Sequence, residues 1–304
     1  MSRAHAFAPR TAIVAACLLL LTTASGTAAK TAPRVAAIDW SLTETLIALG
    51  VVPVGAAQLG DYKHWTGQPL PAALTDIGLR TAPNLELLSE LAPDRILLSR
   101  RFATLKPRLA RIAPVTVVPL YMGDGPLWPR LLDATRMVAR AVSRPAAGER
   151  LIDSVEHEFA RLKQRLPTDM PPLLLLQFAD NRHVRVFGSN SLYGAVLQQL
   201  GLRNAWTGDT SLWGYSLVGL DALMRNDAPV RPAARAVIIA PLPPGLAATL
   251  PENGLWQRLP VVQRDDLIRL PPVWSIGGLP SARRFAQVLA AALTADPARA
   301  PSDD

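Results

Sequence analysis

The side chains best placed to do chemistry are one arginine and a set of aromatics on turns. Arg80 falls in the run DIGLRTAPNLELL at 76–88, between a strand-like 77–79 and a helix that Asn84 opens and Pro93 closes. A guanidinium on such a loop offers ligand oxygens a planar fork of donors. Taken alone it reads as surface charge; Gly78 and Pro83, which shape its loop, favour a functional role. Trp40, Trp65, Phe102, Trp213, Tyr215 and Trp274 sit on connections that follow strand-like or polar segments. For Trp65, in Asp61-Tyr62-Lys63-His64-Trp65, a loop tucked down by its own aromatics is the plain alternative. Together these residues suit binding: a fork donor for anionic oxygens and apolar faces for an organic scaffold.

Catalysis and metal ligation find less support. A hydrolase needs a nucleophile, a base and an orienter in one place. Gly188-Ser189-Asn190-Ser191 supplies hydroxyls without the Gly-x-Ser-x-Gly elbow, and His183 lies in a hairpin turn. The same glycine-serine stretch opens a helix, so it is either an anion-binding start or an ordinary cap. His64, His157 and His183 are scattered, which disfavours a metal site built by the protein itself.

The elements that must carry these residues come in two similar halves. In the first, strands are expected at 34–38, 51–56, 94–99 and 115–120, and helices at 44–49, 84–91, 105–112 and 127–142. Ser41 or Thr43 is the expected cap of the first helix, 61–65 a loop, and Arg100-Arg101-Phe102 the exit of the 94–99 strand. In the second, 173–178 and 184–187 form a hairpin, so that sheet is partly antiparallel. Helix 192–200, a polar aromatic loop at 210–216, a helix start at 220–223, strands at 236–240 and 266–270, an exit loop at 271–278 and a final helix at 281–293 follow. Glu86 and Asp221 hold equivalent places in the first turns of two corresponding helices.

Between the halves, 144–167 reads as one rod. Leu151, Val155, Phe159, Leu162 and Leu166 keep the spacing of one helix face, Pro145 suits a first turn and Pro167 ends the pattern. The expectation is an α/β protein of two lobes, each a sheet flanked by helices, joined by one long helix. The expected boundaries are a leader at 1–29, a first lobe at 30–143, the connecting helix at 144–167 and a second lobe at 168–304.

Composition sets the outer bounds. Of 304 residues, 49% are apolar and 18% charged, which describes a globular chain. Residues 11–21 are an apolar run behind Arg3 and Arg10, and Thr27-Ala28-Ala29 offers small residues for cleavage, so a secretory signal is expected. An uncleaved anchor is the alternative. The one cysteine, Cys17, lies inside that run, leaving no thiol in the exported chain. Export without disulfides fits the bacterial periplasm. The formal charge of +8 is scattered among acids with no basic-aromatic block, so no nucleic-acid partner is expected.

With these segments in view, the chain resembles the periplasmic siderophore-binding proteins of ferric-hydroxamate uptake, members of the class III substrate-binding proteins of ABC transporters. The likeness is carried by 76–88, 186–192, 204–216 and 270–277. It implies that Arg80 hydrogen-bonds hydroxamate oxygens, with Trp213 helping from the opposite lobe, and that Trp40, Trp65 and Trp274 line a shallow apolar pocket. Phe102 stands where a tyrosine is common in the family, and Ile276 where a second pocket tyrosine is found, so this pocket is less polar. The resemblance further implies that Glu86 and Asp221 meet arginines of an inner-membrane permease. A ferric tris-hydroxamate brings six oxygens already around the iron, so no protein ligand to the metal and no cofactor are needed. The expected protein is a monomer and not an enzyme. Haem or cobalamin is the alternative cargo within the same fold.

Overall fold

A computed structural model describes Met1 and residues 33–121, 123, 125–225 and 227–295. The expected leader at 1–29, Cys17 and the end of the C-terminal tail lie outside the described residues, apart from Met1. Before the middle helix, strands β1 (Val35–Ala37), β2 (Gly55–Ala56), β3 (Thr75–Asp76), β6 (Arg95–Ser99) and β7 (Val115–Val118) form one sheet in the order β3-β2-β1-β6-β7. Every pairing in it is parallel. Parallel neighbours need crossovers, and helices at Trp40–Ala48, Leu59–Thr66 and Leu85–Glu90 supply them. A small hairpin, β4 (Gly78–Leu79) with β5 (Ala82–Pro83), projects beyond β3.

After the middle helix, β8 (Leu173–Phe178), β9 (His183–Phe187), β10 (Tyr215–Gly219), β11 (Arg235–Ile239) and β12 (Leu267–Leu270) form a second sheet ordered β10-β9-β8-β11-β12. Its β8-β11-β12 side is parallel and its β8-β9-β10 side antiparallel, as the 173–187 hairpin predicts. All six residues of β8 are buried, which fits its unbroken apolar run.

The middle helix runs Pro145–Arg165, roughly 31 Å at about 1.5 Å per residue. Gly148 lets it pass close to the preceding helix Leu127–Ala141: a Cβ there would stand 2.6 Å from the Ala139 Cβ. Its inward face holds Ile152, Val155 and Phe159, and also the buried Glu158, which pairs with Arg283 and accepts a 2.6 Å hydrogen bond from Gln287. One hydrophobic core runs from Leu42 and Leu46 on the first helix, through Val138 and Val155, to Leu197 and to Phe285 and Leu289 on the last helix, Leu279–Thr294. No described helix is long and apolar enough to cross a membrane.

Several local expectations are corrected. The first helix begins at Trp40 rather than 44, and its cap is Asp39, whose carboxylate accepts from the Ser41 N–H at 3.0 Å. Residues 61–65 are helical, inside Leu59–Thr66. That helix starts from Gln58 in a left-handed conformation (φ 59°) with no side-chain cap, so the usual start signal is missing. The polar loop at 210–216 gives way at Tyr215 to edge strand β10. The expected 51–56 strand shrinks to Gly55–Ala56.

Candidate ligand-binding cleft

Because the first sheet is parallel, the chain leaves β1, β2, β3 and β6 at the same edge. Those exits deliver Trp40, Gln58, Arg80 and Arg101 to one place. Arg80 and Thr81 form the tip of the β4–β5 hairpin, whose register pairs Leu79 with Ala82. Gly78 holds φ +84°, a conformation glycine accepts without steric cost. Gln58 braces the hairpin: its N–H donates to Gly78 O at 2.6 Å and to Asp76 Oδ1 at 3.1 Å. Its side-chain Oε1 accepts from Arg80 Nε at 3.1 Å.

The guanidinium so held lies face-on over Trp40, its central carbon 3.9 Å from the ring centroid, and 5.3 Å from the Trp274 ring. No carboxylate among the described residues forms an ion pair with it. Its Nη1 is buried with no hydrogen-bond partner. Desolvation pulls its pKa down, and neighbouring Arg101 adds to that; Asp39 and Asp61 oppose the shift. One N–H of this half-buried guanidinium thus keeps unused donor capacity. Trp274 Nε1 is a second buried donor without an acceptor.

The aromatics around Arg80 form an edge-on cluster. Trp40 meets Tyr62 at 5.7 Å and Trp274 at 4.8 Å, and Trp65 meets Trp274 at 6.1 Å. Trp40 does not line the pocket as an open wall. It is 1% exposed, covered by Arg80 and Trp274, with its indole N–H donated to Ala57 O at 3.0 Å. It is the floor on which Arg80 rests. Trp65 and Trp274 are half-buried and keep accessible faces.

A second group forms where β6 ends. Arg101 lies over the Trp213 ring at 5.0 Å and beside Phe102 at 5.4 Å. It therefore bridges the two halves of the chain. Phe102 is 6% exposed beneath it. Asp39, Ser99, Tyr121, Trp213 and Ile276 line one narrow crevice here. Trp213 is set by a tight contact behind it: Gly214 has φ +78°, and a Cβ on it would stand 2.4 Å from the Ser191 Cα. Asn190 fastens the same turn, accepting from Thr210 Oγ1 at 2.6 Å and donating to Ser211 O at 3.2 Å. Ser191 spends its hydroxyl as a helix cap, accepting from Gly194 N at 2.9 Å. The 188–191 stretch thus serves as cap and anchor for the Trp213 turn.

Tyr215 stands apart. It lies opposite Phe187 in the second sheet, 5.8 Å ring to ring, with Arg185 over it at 5.7 Å. Among the described residues no ring contact or hydrogen bond joins it to Arg80 or Arg101. Glu86 and Asp221 are both exposed, and each is the second residue of its helix, Leu85–Glu90 and Leu220–Leu223. Neither touches the cleft groups.

Four residues of the site carry no strong local signal. Gln58 is helixward of nothing recognisable, and Arg101 reads as one of two adjacent surface arginines. Asp39 could have been read from its place two residues before Ser41. Its Oδ1 accepts from Ser41 Oγ at 2.9 Å and its Oδ2 from Ser99 Oγ at 2.7 Å. Glu44 lies behind the cleft, accepting from Gly278 N–H and, at 2.6 Å, from Ser281 Oγ. Burial pushes its carboxyl up to about 7; the bonds from Ser281 and Gly278 pull the other way, and nearby Asp39 adds to the rise. Beside it, the Tyr121 hydroxyl donates to Gly277 O. No group of three or more His, Cys, Asp or Glu side chains able to hold a metal ion occurs among the described residues.

This geometry has counterparts among known proteins. A family model described as periplasmic binding protein matches residues 35–273. The iron(3+)-hydroxamate-binding protein FhuD of Escherichia coli (strain K12) is 34% identical over 266 residues, 84% of this chain and 85% of that protein. The achromobactin-binding periplasmic protein of Dickeya dadantii (strain 3937) is 28% identical over 181 residues, 55% of each chain. Among solved structures, the Fe3+–Desferal-bound siderophore-binding protein FhuD from Vibrio cholerae superposes with a TM-score of 0.79 at 29% identity, covering 86% of this chain and 98% of that one. The triscatecholate siderophore-binding protein FeuA of Bacillus subtilis shares the fold, with a TM-score of 0.69 at 16% identity over 86% and 92% of the two chains. A match along most of its length, on the same two-sheet frame, makes this chain a member of the periplasmic binding protein family.

Proposed function

We propose that the chain carries an iron(III)-hydroxamate siderophore in the cleft between its two sheets and hands it to an inner-membrane ABC permease. It is a binding protein, not an enzyme, and the ferric complex is cargo, not a cofactor. The observation that carries this reading is the Arg80 guanidinium: half-buried, braced by Gln58, lying over Trp40, and left with a buried, unpartnered Nη1. Hydroxamate oxygens around a bound ferric ion carry the negative charge such a donor needs. Trp65, Trp274 and Trp213 offer apolar surface to the organic backbone, while Phe102 supports Arg101 from beneath and Tyr215 shapes the second sheet. Glu86 and Asp221 are the docking points for the permease. The likeness to periplasmic binders supports a periplasmic location, and the same reading takes the chain as a monomer exported by a leader at 1–29. The lobes are taken as 30–143 and 168–304 about the 144–167 helix.

The test is tryptophan fluorescence of residues 30–304, titrated with ferric ferrichrome, haem and cobalamin. Four of the seven tryptophans, Trp40, Trp65, Trp213 and Trp274, belong to the cleft, so a bound ferric chromophore quenches them. Losing one charge-assisted hydrogen bond costs about 1.5–3 kcal/mol, so Arg80→Ala weakens ferric-hydroxamate binding by roughly one to two decades. Unchanged affinity in that variant removes Arg80 from the site. Quenching by haem or cobalamin alone keeps the fold and overturns the cargo.

A further inference from the structure

Arg101 has a role that Arg80 does not explain. It is exposed, on the connection that leaves β6, and lies over Trp213 of the other half at 5.0 Å. Among the described residues it forms no ion pair and no hydrogen bond through its side chain. It stands close enough to Arg80 to work against that residue's charge. Two described acids that act on Arg80, Asp39 and Asp61, already accept hydrogen bonds. Asp39 gives one oxygen to Ser41 and the other to Ser99, and Asp61 Oδ2 accepts from Gln58 at 2.8 Å. Two guanidiniums therefore face one cleft, and the second rests only on aromatic faces. It rests against Trp213 and Phe102, and its N–H fork is unpaired among the described residues.

Resting on the binding reading above, we propose that Arg101 selects ligand charge: it pairs with a carboxylate carried on the ligand's scaffold, beyond the iron-bound oxygens that Arg80 takes. The favoured cargo is then a ferric hydroxamate that bears free carboxylate and net negative charge, such as a citrate-based dihydroxamate, over a neutral tris-hydroxamate. A planar fork meets a carboxylate with two parallel bonds, while a neutral complex gains nothing from it. The unbalanced positive charge also draws an anionic complex in at a distance, in a manner that added salt weakens.

The experiment titrates the intact wild-type protein, Arg101→Gln and Arg101→Lys with ferric aerobactin, a citrate-based anionic complex, and with neutral ferric ferrichrome, each at low and high salt. Intrinsic fluorescence is the readout. Expected is a loss of about tenfold for the anionic complex in Arg101→Gln, with the neutral one changed less than about twofold. Arg101→Lys restores part of the anionic affinity, since it returns the charge without the fork. The salt dependence of the anionic complex flattens in Arg101→Gln. Equal losses for both complexes make Arg101 a packing residue and overturn the proposal, as does no loss for either. If the wild type binds neither complex, the siderophore reading itself falls and this proposal with it.

Discussion

Glu44 makes stability depend on pH in a direction opposite to that of most carboxylates. Its side chain joins the first helix to the start of the last one, where it accepts from Gly278 N–H and Ser281 Oγ. Burial raises its pKa from 4.5 to about 7. A raised carboxyl favours the native state while it stays protonated. As pH climbs from about 4.5 to 7, the unfolded chain releases the proton and the folded one does not, so stability falls across that window and stays lowered above it. At 1.36 kcal/mol per unit, the loss from this one group is about 3 kcal/mol. Glu44→Gln keeps an oxygen for Gly278 N–H and an amide for Ser281, yet cannot ionise. The two proteins should therefore match near pH 4, and the variant should be the more stable one at pH 8 by about 3 kcal/mol, or roughly 5 °C in Tm for a chain of this size. Urea unfolding of both proteins from pH 4 to 8 measures it. Parallel pH profiles for wild type and variant would show that folding leaves the Glu44 pKa unshifted and refute the reasoning.

Other outcomes follow from the same structure. Gly214→Ala forces a side chain into a φ of +78° against Ser191, so it should destabilise by about 1–3 kcal/mol in chemical denaturation and also weaken ligand binding, because the turn that holds Trp213 shifts. Glu86→Ala with Asp221→Ala should leave ligand affinity unchanged while abolishing delivery; transport assays in permease-containing vesicles, set beside fluorescence titrations, separate the two effects. Little movement of the halves is expected on loading, given one continuous helix and one core. Small-angle scattering with and without ferric ferrichrome checks this, and a contraction of several ångströms in radius of gyration would contradict it.

The parts of the fold that local pattern controls were legible in the sequence. The middle helix announces itself through Pro145, Pro167 and a face of Val155 and Phe159. Strand β8 reads as a buried run, and Asn84 caps its helix as expected, accepting from Leu87 N–H at 3.0 Å. The turn that carries Arg80 was legible because it is flanked by Gly78 and Pro83. What could not be read depends on contacts distant in sequence. Leu59–Thr66 has no cap, and its start is held by Asp76 Oδ2 accepting from Leu59 N–H at 2.9 Å. Strand β10 exposes Leu217 at 62% and is defined by pairing with β9 more than by its own pattern. That Trp40 is floor and not wall depends on Arg80 and Trp274 folding over it, forty and more than two hundred residues away. Glu44 gives no hint of its environment, since its partners lie 234 and 237 residues along the chain.

That last separation has a bearing on how the chain is made. The first helix, Trp40–Ala48, finishes its packing only when Leu279–Thr294, the last helix, has been synthesised. Until then Glu44 lacks its partners Gly278 and Ser281, and the loop closed by those contacts spans 234 and 237 residues. A growing chain therefore cannot complete this core until almost its full length has been made. For the exported protein proposed above, that delay is useful, because a secretory channel passes unfolded chains. Folding would be released on the far side of the membrane, once the final helix arrives to close the core.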